Sequence, residues 1–250
     1  MRKKIAAGNW KMYKDKSGAY NLAKEISSKE VPSDVEVILG VPFVYLDLAL
    51  EATKDNTKVY ISAQNCHQKN EGAYTGEISP YMLKSMNVPY VILGHSERRE
   101  YNNETPELLK EKVIAAFANE LKVIFCIGES LEIRKQGNQN EYVTNQLKES
   151  LSGFSKEDFE NIVLAYEPIW AIGTGETASP EQAQDMHQAI RDFLKKEFGE
   201  VVSENTPILY GGSVKPANAK EIFGQPDVDG GLVGGASLDS ESFYQIIKSF

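Results

Sequence analysis

Eight short aliphatic or β-branched runs, each followed by a loop and a stretch of helical periodicity, constrain the fold of this 250-residue chain more than any other feature. They are Ile5–Lys11, Val35–Gly40, Val59–Asn65, Tyr90–Leu93, Lys122–Ile127, Ile162–Tyr166, Ile208–Tyr210 and Gly230–Val233. The intervening stretches are long enough for helical crossovers. The clearest helix is Ser179–Phe198, where Ala183, Met186, Ile190, Phe193 and Phe198 fall near one face. Ser179 is placed as its N-cap, Pro180 as the first helical residue, and Gln182 completes a capping box. An open doubly wound sheet also reads as strand–helix alternation. Eight units in this length, with no linker, low-complexity stretch or internal sequence repeat, favour a closed (β/α)₈ barrel of the α/β class, a single domain over residues 1–250.

Bulk properties narrow the function classes. A formal charge of -9 argues against nucleic acid as the main partner. No apolar run approaches the roughly 20 residues needed to cross a bilayer, so no membrane association is expected. The basic N-terminus, Met1-Arg2-Lys3-Lys4-Ile5, lacks the apolar stretch of a secretion signal. The two cysteines, Cys66 and Cys126, form no paired motif, which fits free thiols in a reducing cytoplasm. His67, His95 and His187 show no metal-ligand spacing, and His187 reads as packed on a helix flank. Walker and dinucleotide fingerprints are absent.

On a barrel of this kind, active sites lie at the C-terminal ends of the strands. The unusual polar residues of the chain fall there. In Gly8-Asn9-Trp10-Lys11, strand alternation carried through Lys11 puts Asn9 and Lys11 on one side and Trp10 on the other. One lysine at a strand end is ordinarily just solvated; two inward polar groups on an apolar strand point to a site. Next comes Gly94-His95-Ser96-Glu97, where Ser96 is expected to cap a helical turn whose N–H groups and dipole keep the His95 ring neutral.

Glu167 follows a strongly apolar strand, an expensive place for a charge without a task. Beyond it, Pro168–Ala178 reads as a closing lid fenced by Pro168 and by Gly173 and Gly175. After the last two strands, Gly211-Gly212-Ser213 and Gly234-Gly235-Ala236-Ser237 offer backbone N–H groups with no Cβ in the way, where such barrels bind phosphate. Amides and helix N-termini can hold an anion against an acidic global field.

These motifs, in this order and over nearly the whole chain, resemble the triosephosphate isomerase family. The matching segments are Gly8–Met12, Ala63–Asn65, Gly94–Arg99, Ala165–Gly175, Tyr210–Val214 and Leu232–Leu238. The resemblance implies a cofactor-free and metal-free aldose–ketose isomerase of glycolysis and gluconeogenesis. It would interconvert dihydroxyacetone phosphate and glyceraldehyde 3-phosphate through an enediolate. It makes Glu167 the base, neutral His95 the acid that polarises the carbonyl, and Lys11 the positive charge; this role split for Glu and His is a known worked case of pKa tuning. Asn9 would orient the substrate and Glu97 would organise Lys11 and the His95 turn. Phosphate would rest on N–H groups of Gly173, Ser213, Gly234 and Gly235. The resemblance also implies a homodimer through the Gln64–Glu77 loop, with Thr75 reaching Asn9 and Lys11 of the neighbouring subunit. Two departures stand out, Glu176 where many members carry Lys and Cys66 where bacterial relatives carry Met.

Two other readings compete. A Schiff-base aldolase on the same fold would use Lys11 as nucleophile. A catalytically idle barrel could serve as an adhesin or binding scaffold, though such a scaffold needs neither base nor neutral acid.

Overall fold

The fold is seen in a computed structural model, which describes residues 2–172 and 177–250. Eight strands occur: β1 (Lys4–Asn9), β2 (Val35–Gly40), β3 (Val59–Ala63), β4 (Tyr90–Leu93), β5 (Lys122–Ile127), β6 (Ile162–Tyr166), β7 (Ile208–Tyr210) and β8 (Gly230–Val233). Each pairs in parallel with its neighbours in sequence order, and β8 closes on β1. The expected barrel is what forms. The helices around it are α1 (Lys16–Ser27), α2 (Leu46–Thr53), α3 (Pro80–Ser85), α4 (Ser96–Tyr101), α5 (Pro106–Ala118) and α6 (Leu131–Lys135). Then come α7 (Gln139–Leu151), α8 (Pro180–Phe198), α9 (Glu200–Asn205), α10 (Pro216–Phe223) and α11 (Ser240–Ile247). Among the described residues no helix is long and apolar enough to cross a membrane.

Strand alternation sorts the core into two layers. Ile5, Ala7, Ile38, Ile92, Ile124, Cys126, Val163, Ala165, Leu209 and Leu232 fill the barrel interior. Their neighbours in sequence, such as Ala6, Val37, Leu39, Val91 and Leu164, pack outward against the helices. Because both faces are buried, the strands carry apolar residues at most positions rather than alternately.

The capping box at Ser179 and Gln182 is present, and Pro180 opens α8. The buried face of α8 differs from the one expected: Ala183, Met186 and Ile190 are buried, but so are His187, Arg191 and Leu194, while Phe193 and Phe198 are only partly covered. Arg191 is admitted because its guanidinium finds Asp227, Asp229 and the carbonyls of Ser203 and Thr206. Two strands end sooner than the apolar runs suggested. The first stops at Asn9, not Lys11, and the third at Ala63, not Asn65. In both places the chain turns away to build the rim of the barrel mouth.

Candidate active site

Asn9 shares the inward parity of Ile5 and Ala7, so the end of β1 delivers its amide to the barrel mouth. Lys11 arrives by another route than strand alternation. Its backbone is left-handed, with φ of 48°, and its N–H donates to Asn9 Oδ1 at 3.0 Å. Gln64 Nε2 braces this turn by donating to the carbonyls of Lys11 at 2.9 Å and Gly40 at 3.0 Å. The Lys11 ammonium meets Glu97 Oε1 at 2.6 Å. Trp10, between them, is fully buried in the layer beneath the helices.

His95 shows what a single turn can do. Val91 and Leu93 face outward on β4, and continued alternation would send residue 95 outward too. Gly94 has φ of +75°, and this left-handed step redirects the chain so that His95 lies over the mouth. The helix cap expected at Ser96 is His95 itself. Its Nδ1 accepts the Glu97 N–H at 3.3 Å, so the ring proton belongs on Nε2.

Glu167 continues the inward column of Val163 and Ala165 on β6 and is 2% exposed. Its Oε2 accepts the Ser96 N–H at 3.0 Å, and its Oε1 lies 2.9 Å from His95 Nε2. Burial lowers the His95 pKa, but the Glu167 carboxylate, helped by Glu97, outweighs it, and the pKa is raised above the ordinary histidine value in this arrangement. The expectation of a neutral ring therefore needs Glu167 to leave Nε2. Once it does, burial and Lys11 act to keep the ring neutral.

These groups open onto one cavity of about 350 Å³ lined by Asn9, Lys11, His95, Glu167, Ser213, Gly234 and Gly235. The expected catalytic and substrate-binding residues within the described part of the chain are brought together there, while Glu97 lines the neighbouring cleft and reaches the site through Lys11. Gly173, at the lid tip, lies outside the described residues, as do Gly175 and Glu176. The first glycine turn leaves no room for a side chain. A Cβ on Gly212 would stand 2.2 Å from Tyr210 Oη and 2.9 Å from Pro168 Cγ. Gly234 leads into a 3₁₀ turn over Gly235–Leu238, and Gly234, Gly235 and Ala236 line the cavity.

Three supporting residues escaped the reading of the sequence. Cys126 sits inward on β5 beside Glu167, and burial with that neighbouring carboxylate pushes its thiol well above the ordinary value. Strand parity from Ile124 would have found it. Gln64, which the sequence marks only as the start of the dimer loop, braces the Lys11 turn. Glu129 is fully buried, and its Oε1 accepts from Tyr166 Oη at 3.0 Å, Trp170 Nε1 at 2.9 Å and Arg134 Nη1 at 3.0 Å. It anchors the start of the expected lid, where Ile169–Ala171 forms a 3₁₀ turn; a lone Glu after a strand carries no local sign of that role.

The Lys11–Glu97 pair also weighs against the Schiff-base alternative. An amine nucleophile needs a free lone pair, and an ammonium held on a carboxylate lacks one. No group of three or more His, Cys, Asp or Glu residues able to hold a metal occurs among the described residues.

Known proteins agree with the geometry. A family model described as triosephosphate isomerase matches residues 4–250. Triosephosphate isomerases of Cytophaga hutchinsonii and Flavobacterium johnsoniae are each 52% identical to this chain, covering 100% of both sequences. That of Bacteroides fragilis is 53% identical, again over 100% of both. The chain belongs to the triosephosphate isomerase family, whose reaction interconverts dihydroxyacetone phosphate and glyceraldehyde 3-phosphate.

Proposed function

We propose that this chain carries out its family's reaction with Glu167 as the base, neutral His95 as the acid at the carbonyl and Lys11 as the fixed positive charge. The observation that carries this reading is the shared hydrogen-bonding of one buried carboxylate to His95 Nε2 and the Ser96 N–H. Nε2 has a single proton and can give it either to Glu167 or to a substrate oxygen. Substrate entry therefore releases the carboxylate from His95, leaving it poorly solvated and free to take a carbon-bound proton. The negative charge then growing on the two substrate oxygens is met by Nε2–H, the Lys11 ammonium and the Asn9 amide. Glu97 holds Lys11 at 2.6 Å and the His95 turn through its own N–H. Amides of Ser213, Gly234 and Gly235, with Gly173 of the lid, would carry the phosphate.

The test is a coupled assay with glyceraldehyde 3-phosphate on the wild type and on Glu167→Gln. Turnover in the first and its loss in a folded second are expected. C–C cleavage, or undiminished turnover in the variant, would overturn the assignment.

The same reading makes residues 1–250 one catalytic domain of a cytoplasmic homodimer, with neither nucleic acid nor membrane as partner. A cleft of about 600 Å³ beside the site is lined by Asn9, Lys11, Met12, Phe43, Gln64 and Tyr101. Met12 is 95% exposed and Tyr101 73%. Large apolar side chains left in water next to polar site residues favour cover by a second subunit, through the Gln64–Glu77 loop with Thr75 at its tip. Both cysteines are buried free thiols, as a reducing compartment would leave them.

A further inference from the structure

The pairing of β4 with β5 stops at Leu93 and Phe125, while β5 runs on two residues further against β6. Gly94 turns the chain out of the sheet to place His95, so Cys126 has no strand neighbour on that side. The gap is filled by a side chain. Arg99, one turn into α4, donates from Nε to the Gly94 carbonyl at 2.7 Å and from Nη2 to the Cys126 carbonyl at 2.8 Å. Its guanidinium lies over the Phe125 ring, 5.6 Å from the centroid. Gly94 is shaped around it: a Cβ there would stand 2.8 Å from Arg99 Nη2 and 3.0 Å from the Cys126 carbonyl oxygen.

Arg99 makes no carboxylate contact at ion-pair distance among the described residues. The groups that face it electrostatically are the Cys126 thiol, the Glu167 carboxylate, Glu104 and, from α7, Tyr142. A cation withdrawn from water with two carbonyls and a ring face, but no carboxylate, as direct partners is costly unless something uses its charge. Of these groups Glu167 is the carboxylate of the site, and it follows the end of β6, whose Ala165 pairs with Cys126.

We propose that Arg99 is a positioning residue for the proton transfer: it replaces the missing end of β4, sets the His95–Glu167 separation and supplies positive charge behind the Glu167 carboxylate. The inference rests on the roles given above to Glu167 and His95. The two parts of its action separate by substitution. Arg99→Met removes both the bridge and the charge, whereas Arg99→Lys keeps the charge but cannot hold two carbonyls with a rigid fork.

The experiment is steady-state kinetics across pH on both variants, with folding checked by circular dichroism and Glu167→Gln run alongside. In Arg99→Met, kcat should fall about 10- to 100-fold with KM little changed, as for misplacement of a reacting group. The acid limb of kcat/KM should move to higher pH, because the cation that favours the ionised carboxylate is gone. In Arg99→Lys the limb should stay in place while kcat still falls. A folded Arg99→Met with wild-type kcat and an unmoved acid limb would overturn the proposal. Should Arg99→Met not fold, Arg99→Lys decides: reduced kcat with an unmoved limb supports it, and wild-type kcat overturns it. Wild-type turnover in Glu167→Gln would instead remove the base assignment on which the inference stands.

Discussion

His95 Nε2 and Glu167 Oε1 lie 2.9 Å apart, with the second carboxylate oxygen on the Ser96 N–H. The acid and the base of the proposed reaction thus hold each other until substrate separates them. Shortening the base shows how far catalysis depends on reach. Glu167→Asp withdraws the carboxylate by about 1 Å and should cost on the order of 10²-fold in kcat, with a smaller change in KM. Stopped-time assays on a variant with unchanged circular dichroism check this, and near-normal kcat would exclude Glu167 as the base.

The same contact governs the charge of His95. In the resting arrangement its pKa is raised because the Glu167 carboxylate outweighs burial. A raised folded pKa adds stability at pH below the unfolded value, and that contribution is lost as pH rises through the folded one. Replacing the partner by Glu167→Gln should move the His95 titration, followed by imidazole NMR, to lower pH. An unchanged titration would mean that Glu167 does not control this ring.

Gly128 is a sharper steric test. A Cβ there would stand 1.8 Å from the Glu167 carbonyl oxygen and 3.1 Å from its Cβ. Gly128→Ala must therefore push the end of β6 away from β5. We expect a loss of about 1–3 kcal/mol in denaturant unfolding and at least about 10-fold in kcat from the displaced base. A variant as active as the wild type would show that the strand end tolerates that shift.

Acid sensitivity should come in part from His187. This ring is fully buried beside Tyr166 and Tyr210, its Nδ1 lies 3.2 Å from the Asp227 carbonyl, and Nε2 has no partner among the described residues. Burial lowers its pKa from 6.5 to about 4. Between those values the unfolded chain takes up a proton that the folded one refuses, so stability falls as pH drops through the window, by up to about 3 kcal/mol. Urea unfolding of wild type and His187→Gln at pH 7 and pH 4.5 should show a weaker pH dependence in the variant. Equal slopes would assign the acid limb to other groups.

Dilution should reveal the role of the partner subunit. If Thr75 braces Asn9 and Lys11 across the interface, specific activity falls as sedimentation shows dimers giving way to monomers. A fully active monomer would overturn that part of the reading.

What local physics dictates was legible in the chain. Apolar runs buried on two faces, separated by crossover lengths, specify parallel strands and helices, and eight of them suffice to close a barrel. Ser179, Pro180 and Gln182 announce the start of α8 because capping acts within one turn. Glu167 could be placed because strand parity persists to the end of β6. Lys11 and His95 reach the same mouth only where parity breaks, through left-handed steps at Lys11 and Gly94. No period reports such a step, since it depends on what the neighbouring strands leave open. Arg99 on the Cys126 carbonyl, Cys126 beside Glu167, Gln64 under Lys11 and Glu129 beneath Trp170 lie still further from local view. Each meets its partner across 27 or more residues of chain. Only closure of the barrel brings those atoms within hydrogen-bonding range, and there the tertiary structure, not the sequence pattern, decides which polar group answers which.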